Sequence, residues 1–153
     1  MTNGLDEIDK KILSELLQNA RIPAKKLARK INCHPNTMLQ RLKKLEKKGL
    51  IKKYTSQIDF SKADFDLHVI IMMKVRKGRA GDMEQLKDLL KIKEIEALHA
   101  TTGVWDLMGT CRVRNRQHLL EVIQKIGSSE LITKTASHMI LFTYKDPHDF
   151  NPF

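Results

Sequence analysis

Two prolines, Pro23 and Pro35, stand twelve residues apart in a stretch whose apolar residues otherwise recur at helical spacing. A proline in a helix interior removes a hydrogen bond and clashes with the preceding turn, whereas the first helical turn accepts it. The stretch therefore divides into three short helices. Leu5, Ile8, Ile12, Leu13, Leu16 and Leu17 give the first an apolar stripe from Leu5 to Asn19. Asp6, Glu7 and Asp9 lie in its first turn, where negative charge suits the helix dipole. The second helix is expected over Ala24 to Ile31, with Leu27, Ala28 and Ile31 inward. The third runs from Pro35 to Lys48 and stops at Gly49, a residue that readily takes the left-handed turn ending a helix.

Two helices joined by a tight break, here Asn32-Cys33-His34-Pro35, follow the logic of a helix-turn-helix. In the third helix Met38, Leu42 and Leu45 share one face, and Asn36, Thr37, Gln40, Lys43, Lys44 and Lys47 the other, with Arg41 and Lys48 on the flank. From Ala24 to Lys53 there are 11 basic residues and one acid, Glu46. The formal net charge of +10 is concentrated here: residues 1–60 carry +8 and residues 61–153 only +2. Charge of one sign that internal pairing cannot neutralise implies a polyanionic partner. Gln pairs with adenine and Arg with guanine in the major groove. Asn36, Thr37, Gln40 and Arg41 are therefore expected to read base edges. His34, Lys43, Lys44, Lys47, Lys48, Lys52 and Lys53 suit phosphates, which set affinity and register. The plainer alternative is a solvated helix face.

Leu50 to Ile58 has β character and suggests a wing, and Asp59 to Asp66 is polar enough for a linker. The remainder alternates. Strands are expected at His68–Val75, Ile95–Thr102, Leu107–Val113 and Ile132–Tyr144, with a loop at Lys77–Gly81 and a turn at Gly103–Asp106. One helix spans Asp82–Leu90, with Met83, Leu86, Leu89 and Leu90 inward. Another spans Asn115–Ile126, its core supplied by Leu119, Leu120, Val122, Ile123 and Ile126. The order βαββαβ is the ferredoxin-like pattern, so the fold class is α+β.

Cys33 and Cys111 form no C-x-x-C pair, which fits a reducing cytosol. The start lacks the apolar region of a secretory signal, and the longest apolar run, Val69–Met73, is too short to span a membrane. A cytoplasmic protein without a membrane partner is expected. The six histidines have no metal-ligand spacing and no nucleophile–base set is evident, so neither cofactor, metal nor catalysis is expected. Only Tyr54 and Phe60 offer stacking in the basic region, which argues against single-strand binding.

Several segments together resemble the Lrp/AsnC family, the leucine-responsive and asparagine regulators. They are Leu5–Leu13, Asn19-Ala20-Arg21, Leu27-Ala28, Thr37–Ile51 and the turn Thr102-Gly103-Val104-Trp105-Asp106. The resemblance covers Leu5 to Lys145. It implies a winged helix-turn-helix domain at 1–53, a hinge strand at 54–66, a ferredoxin-like RAM domain at 67–146 and a tail at 147–153. It further implies a sequence-specific double-stranded DNA-binding transcriptional regulator. Such a protein acts on palindromic promoter sites, with the transcription machinery, as a homodimer or a tetramer or octamer. An amino-acid effector is implied near Gly103, Trp105 and Asp106, with Thr135 and Ser137 from the last strand. Backbone N–H groups near Gly103 would meet its carboxylate and Asp106 its ammonium. The turn also has a purely structural reading: Gly103 for a tight bend, Trp105 for packing and Asp106 as a cap.

Two departures stand out. The family's Ser before the recognition helix is His34 here, a poorer cap. The family's Gly before the last strand is Leu131. An architectural DNA-binding protein of low specificity is the main competing function. Tetrapyrrole-decarboxylating relatives carry different hairpin residues from the His99-Ala100-Thr101 and Trp105-Asp106-Leu107-Met108 found here.

Overall fold

The computed structural model describes residues 4–76 and 83–153. The expected loop Lys77–Gly81, Asp82 and the Met83 side chain lie outside the described residues. The chain forms two compact units, Met1–Ile58 with Tyr144–Phe153, and Asp59–Thr143.

The first unit holds α1 (Glu7–Gln18), α2 (Ala24–Ile31) and α3 (Pro35–Lys47). Asp6 caps α1, its carboxylate accepting from the Asp9 N–H at 2.8 Å. α2 ends on Asn32 at φ 58°, a left-handed conformation that Asn tolerates better than most residues. The chain can therefore turn at once into α3, where Pro35 occupies the first turn. Gly49, at φ 70°, closes α3, and the N–H groups of Leu50 and Ile51 both donate to the Leu45 carbonyl. Ile12, Leu27, Met38 and Leu45 are at most 1% exposed and form the core. Burial of each contributes about 1.5–3 kcal/mol. Leu17 is half-exposed rather than inward, because the buried arc of α1 is centred on Ile12 and Leu13.

No strand forms over residues 50–58. A ribbon needs two strands, and this unit offers the segment no partner among its described residues. The segment is instead tied to α3, where the Tyr54 hydroxyl donates to Glu46 at 2.8 Å. Burial first, then that bond to a carboxylate, pushes the Tyr54 phenol up to about 12. The last residues are not a free extended tail. Asp146 and Asp149 box a short turn over Pro147–Asp149, and Asn151 donates to Ser14 of α1 at 2.8 Å.

The second unit holds β1 (Leu67–Val75), α4 (Met83–Leu90), β2 (Ile95–Ala100), β3 (Leu107–Val113), α5 (Arg116–Gly127) and β4 (Ile132–Met139). A short 3-10 turn over Phe60–Ala63 precedes them, within the stretch expected as a linker. The four strands form one antiparallel sheet in the order β2-β3-β1-β4. Alternation sends Val69, Ile71, Met73, Val75, Leu107, Cys111 and Val113 to one face, where α4 and α5 add Leu86, Leu89, Val122 and Ile126. Leu90 and Leu120, expected inward, are half-exposed, since each helix buries a single stripe against the sheet. The other face carries Ile70, Met72, Met108 and Ala136, each partly exposed, with no helix over it among the described residues. β4 stops at Met139, short of the expected Tyr144. Ile140 still donates to the His68 carbonyl, but the backbone beyond has no strand beside it among the described residues.

Candidate nucleic-acid interface and effector turn

The outer face of α3 is built by what its inner face must do. Met38 and Leu45 are buried, so Asn36, Gln40, Lys43 and Lys47, spaced at successive helical turns, point into solvent. Thr37, Lys44, Lys48, Lys52 and Lys53 are exposed as well. Glu7, Asp6, Asp9 and Glu15 pair with Lys10, Arg41 and Lys30, and Glu46 takes the Tyr54 hydroxyl. Of the 11 basic residues between Ala24 and Lys53, only Lys30 and Arg41 are so engaged. The other nine have no acid partner among the described residues. Their field is left for an external anion.

Arg41, expected on the flank of the third helix, is engaged within the unit. Its Nη1 lies 2.6 Å from Asp6 Oδ2 and 2.6 Å from Asp9 Oδ1, and the Asp9 side chain is 2% exposed. A buried carboxylate has to be paired. Arg41 does this from the flank of α3, and so ties that helix to the first turn of α1. The hydrogen bonds that Arg41 donates to Asp6 and then Asp9 raise its pKa. The Asp9 N–H, then Arg41, hold Asp6 below its ordinary value. Nη1 held this way positions the recognition helix. The signal was present in the sequence as acids Asp6 and Asp9 three residues apart, but nothing local showed that Asp9 points inward.

Two groups were missed. Leu39 is 47% exposed on α3, between Asn36 and Lys43. Its position, one residue off the Met38–Leu42–Leu45 face, was legible on the helical wheel. Lys25, Lys26 and Arg29 of α2 are exposed and unpaired, and the first helix of such a motif crosses the DNA backbone.

The turn at 103–106 is held from within the unit. Gly103 sits at φ 101°, where a side chain would be strained. The Thr101 hydroxyl donates to the Trp105 carbonyl at 2.8 Å, and the Lys134 ammonium lies 5.8 Å from the Trp105 ring centre. The Asp106 carboxylate accepts from the Val75 N–H at 2.9 Å and pairs with Lys74 at 3.2 Å. The Val75 N–H and then Lys74, against some desolvation, lower its pKa. Asp106 is thus tied to β1 through both carboxylate oxygens. Thr135 and Ser137 stand opposite Met73 and Ile71 and share the helix-covered face, whereas Lys134 stands opposite Lys74 on the other. The five expected effector residues are therefore not gathered on one face.

Residues 5–52 match the family described as winged helix-turn-helix DNA-binding. Residues 68–149 match the Lrp/AsnC ligand binding domain. The chain belongs to the Lrp/AsnC family. It is a DNA-binding transcriptional regulator of the Lrp/AsnC type. Relatives include the HTH-type transcriptional regulator FL11 of Pyrococcus horikoshii, 30% identical with 93% of each chain covered. LysM of Sulfurisphaera tokodaii is 31% identical, covering 90% of this chain and 95% of that one. Among solved structures, Bacillus subtilis LrpC is 27% identical with a TM-score of 0.82, covering 92% of this chain and 97% of that one. A transcriptional regulator of Neisseria meningitidis, solved in complex with L-Met, shares the fold at TM-score 0.85 and 24% identity, with 93% of each chain covered.

Both departures from the usual Lrp/AsnC residues have a local explanation. His34 does cap α3: its Nδ1 accepts from the Asn36 N–H at 3.3 Å. That requires an unprotonated Nδ1, and leaves an Nε2–H able to donate. Leu131 is 7% exposed in the core of the second unit, and its carbonyl accepts from the Arg76 N–H. A glycine there would leave that apolar space empty. Among the described residues no cluster of His, Cys, Asp and Glu is placed to hold a metal ion, and no helix is long and apolar enough to cross a membrane.

Proposed function

We propose that two copies of this chain bind a palindromic duplex sequence through the outer faces of their α3 helices. One observation carries the reading: Asn36, Gln40, Lys43 and Lys47 line up on an exposed helix face, in a segment where nine basic residues have no acid partner among the described residues. Asn36, Thr37 and Gln40 supply donors and acceptors for base edges, and Leu39 supplies an apolar contact for a thymine methyl. Lys43, Lys44, Lys47, Lys48, Lys52 and Lys53, with Lys25, Lys26, Arg29 and the His34 Nε2–H, take phosphates. Arg41 holds the helix and reads nothing. The protein acts by binding, at promoters, and not by catalysis.

The second copy is supported by the uncovered sheet face and by the segment after β4. Leu141 and Phe142 there are 77% and 76% exposed. Apolar surface of this kind is ordinarily covered by a partner. A two-fold pair presents two recognition helices to half-sites one or more helical turns apart. Further pairing gives tetramers or octamers. An amino-acid effector is proposed at the exposed turn around Gly103. Its carboxylate would lie on backbone N–H groups, with Lys134 beside Trp105. The L-Met bound to the neisserial neighbour supports that ligand class.

The test is selection of bound duplexes from a random pool, repeated with each amino acid present. The proposal expects an enriched palindrome whose affinity falls with salt by a slope of about 0.9 per phosphate neutralised. Equal affinity for every duplex would leave only an architectural role.

A further inference from the structure

The second unit contains a cavity of about 400 Å³ between the turn preceding β1, the end of β3 and the start of α5. That volume lies in the range of small-molecule sites. Its aromatic wall is Phe60 and Phe65, edge to face with ring centres 6.4 Å apart. The Arg112 and Arg114 guanidinium groups lie over these rings, at 4.9 and 5.4 Å from the centres. Phe60 opens the 3-10 turn that Asp59 caps, and the Phe65 N–H donates back to the Phe60 carbonyl, so both rings are held by backbone bonds.

The charges around this wall decide what it fits. Glu96 pairs with Arg112. Glu94 takes His118 at 3.0 Å and Lys125 at 3.1 Å. Burial alone would raise the Glu94 pKa, but hydrogen bonds from His118, its own N–H and Lys125 outweigh it and bring the carboxyl to about 2. Both acids are committed to these partners. Lys93 and Arg114, which also line the cavity, have no acid partner among the described residues. The result is an aromatic surface rimmed by free positive charge, with no free carboxylate to receive an ammonium.

We propose that this cavity binds a small aromatic carboxylate, its ring on Phe60 and Phe65 and its carboxylate on Arg114 and Lys93. The site is separate from the turn at 103–106 and does not depend on the DNA-binding reading. A zwitterionic amino acid fits it worse than the deaminated acid, because its ammonium finds only cations and engaged acids.

Isothermal titration of the full chain with four probes tests this: 3-phenylpropionate, propionate, phenylalanine and phenethylamine. We expect 3-phenylpropionate to bind at millimolar concentration or below, and each of the others at least about tenfold more weakly. Arg114→Gln should weaken 3-phenylpropionate by about tenfold or more, as loss of a charge-assisted contact does. Arg116→Gln, an exposed neighbour outside the cavity, should leave it unchanged, and matching circular dichroism melts would show that both variants fold. Equal affinity for propionate, tighter binding of phenylalanine, indifference to Arg114→Gln, or no heat at millimolar 3-phenylpropionate would each overturn the assignment.

Discussion

Residues 1–60 and 61–153 each hold 14 Lys and Arg, and more of those in the second stretch are paired with acids. The first has 6 acids and the second 12. In the second, Lys74, Lys87, Lys91, Arg112 and Lys125 close onto neighbouring carboxylates. In the helical unit most cations stay open, on α2, on α3 and in the segment after it. A paired charge fixes local geometry and contributes little field at a distance, whereas an open one draws a polyanion. Three residues inform most: Arg41, paired on the recognition helix, and Arg114 and Lys93, open beside the cavity of the second unit.

Replacing Arg41 by Ala breaks this contrast with the largest expected effect. It leaves the buried Asp9 carboxylate unpaired, so urea denaturation followed by circular dichroism should show a loss of about 3 kcal/mol. Binding to preferred and scrambled duplexes should fall together. If stability held and only the preferred duplex suffered, Arg41 would be a base reader after all. Next comes Gln40→Ala. It should cost about 1–3 kcal/mol on the preferred duplex in a fluorescence-anisotropy titration, and little on a scrambled one. Lys47→Gln should weaken both duplexes alike and flatten the salt slope by about 0.9. Lys125→Gln, from the paired region, should leave that slope untouched; a matching change would mean that the second unit also grips phosphate.

A last prediction concerns the pH dependence set by Glu94. Its folded pKa, about 2, is below the ordinary 4.5, so its stabilisation is complete above 4.5 and is lost as pH falls towards 2. Thermal melts across that window should show Glu94→Gln losing less stability on acidification than the parent. Parallel curves would contradict the assignment.

Fold class was legible because it rests on period. Three helical stripes cut by Pro23 and Pro35, followed by alternation, leave few architectures. Partner-dependent features were not legible. Leu50–Ile58 has strand composition but no neighbouring strand, and the apolar run to Tyr144 outlasts β1, against which β4 pairs. The interface was half legible. A helical wheel places Gln40, Lys43 and Lys47 outward, yet it cannot tell a flank residue facing water from Arg41, which faces the carboxylates of another helix. The cavity was not legible, since it joins Phe60, Arg114 and His118, which meet only in the folded unit.

The central claim is that α3 reads with Gln40 and its neighbours while Arg41 only holds it in place. It is tested most directly by titrating the parent, Gln40→Ala and Arg41→Ala against one preferred and one scrambled duplex at a single salt concentration. The account predicts that Gln40→Ala narrows the ratio of the two affinities by about tenfold or more. It predicts that Arg41→Ala lowers both affinities and leaves the ratio in place. A ratio preserved by Gln40→Ala and collapsed by Arg41→Ala would contradict it.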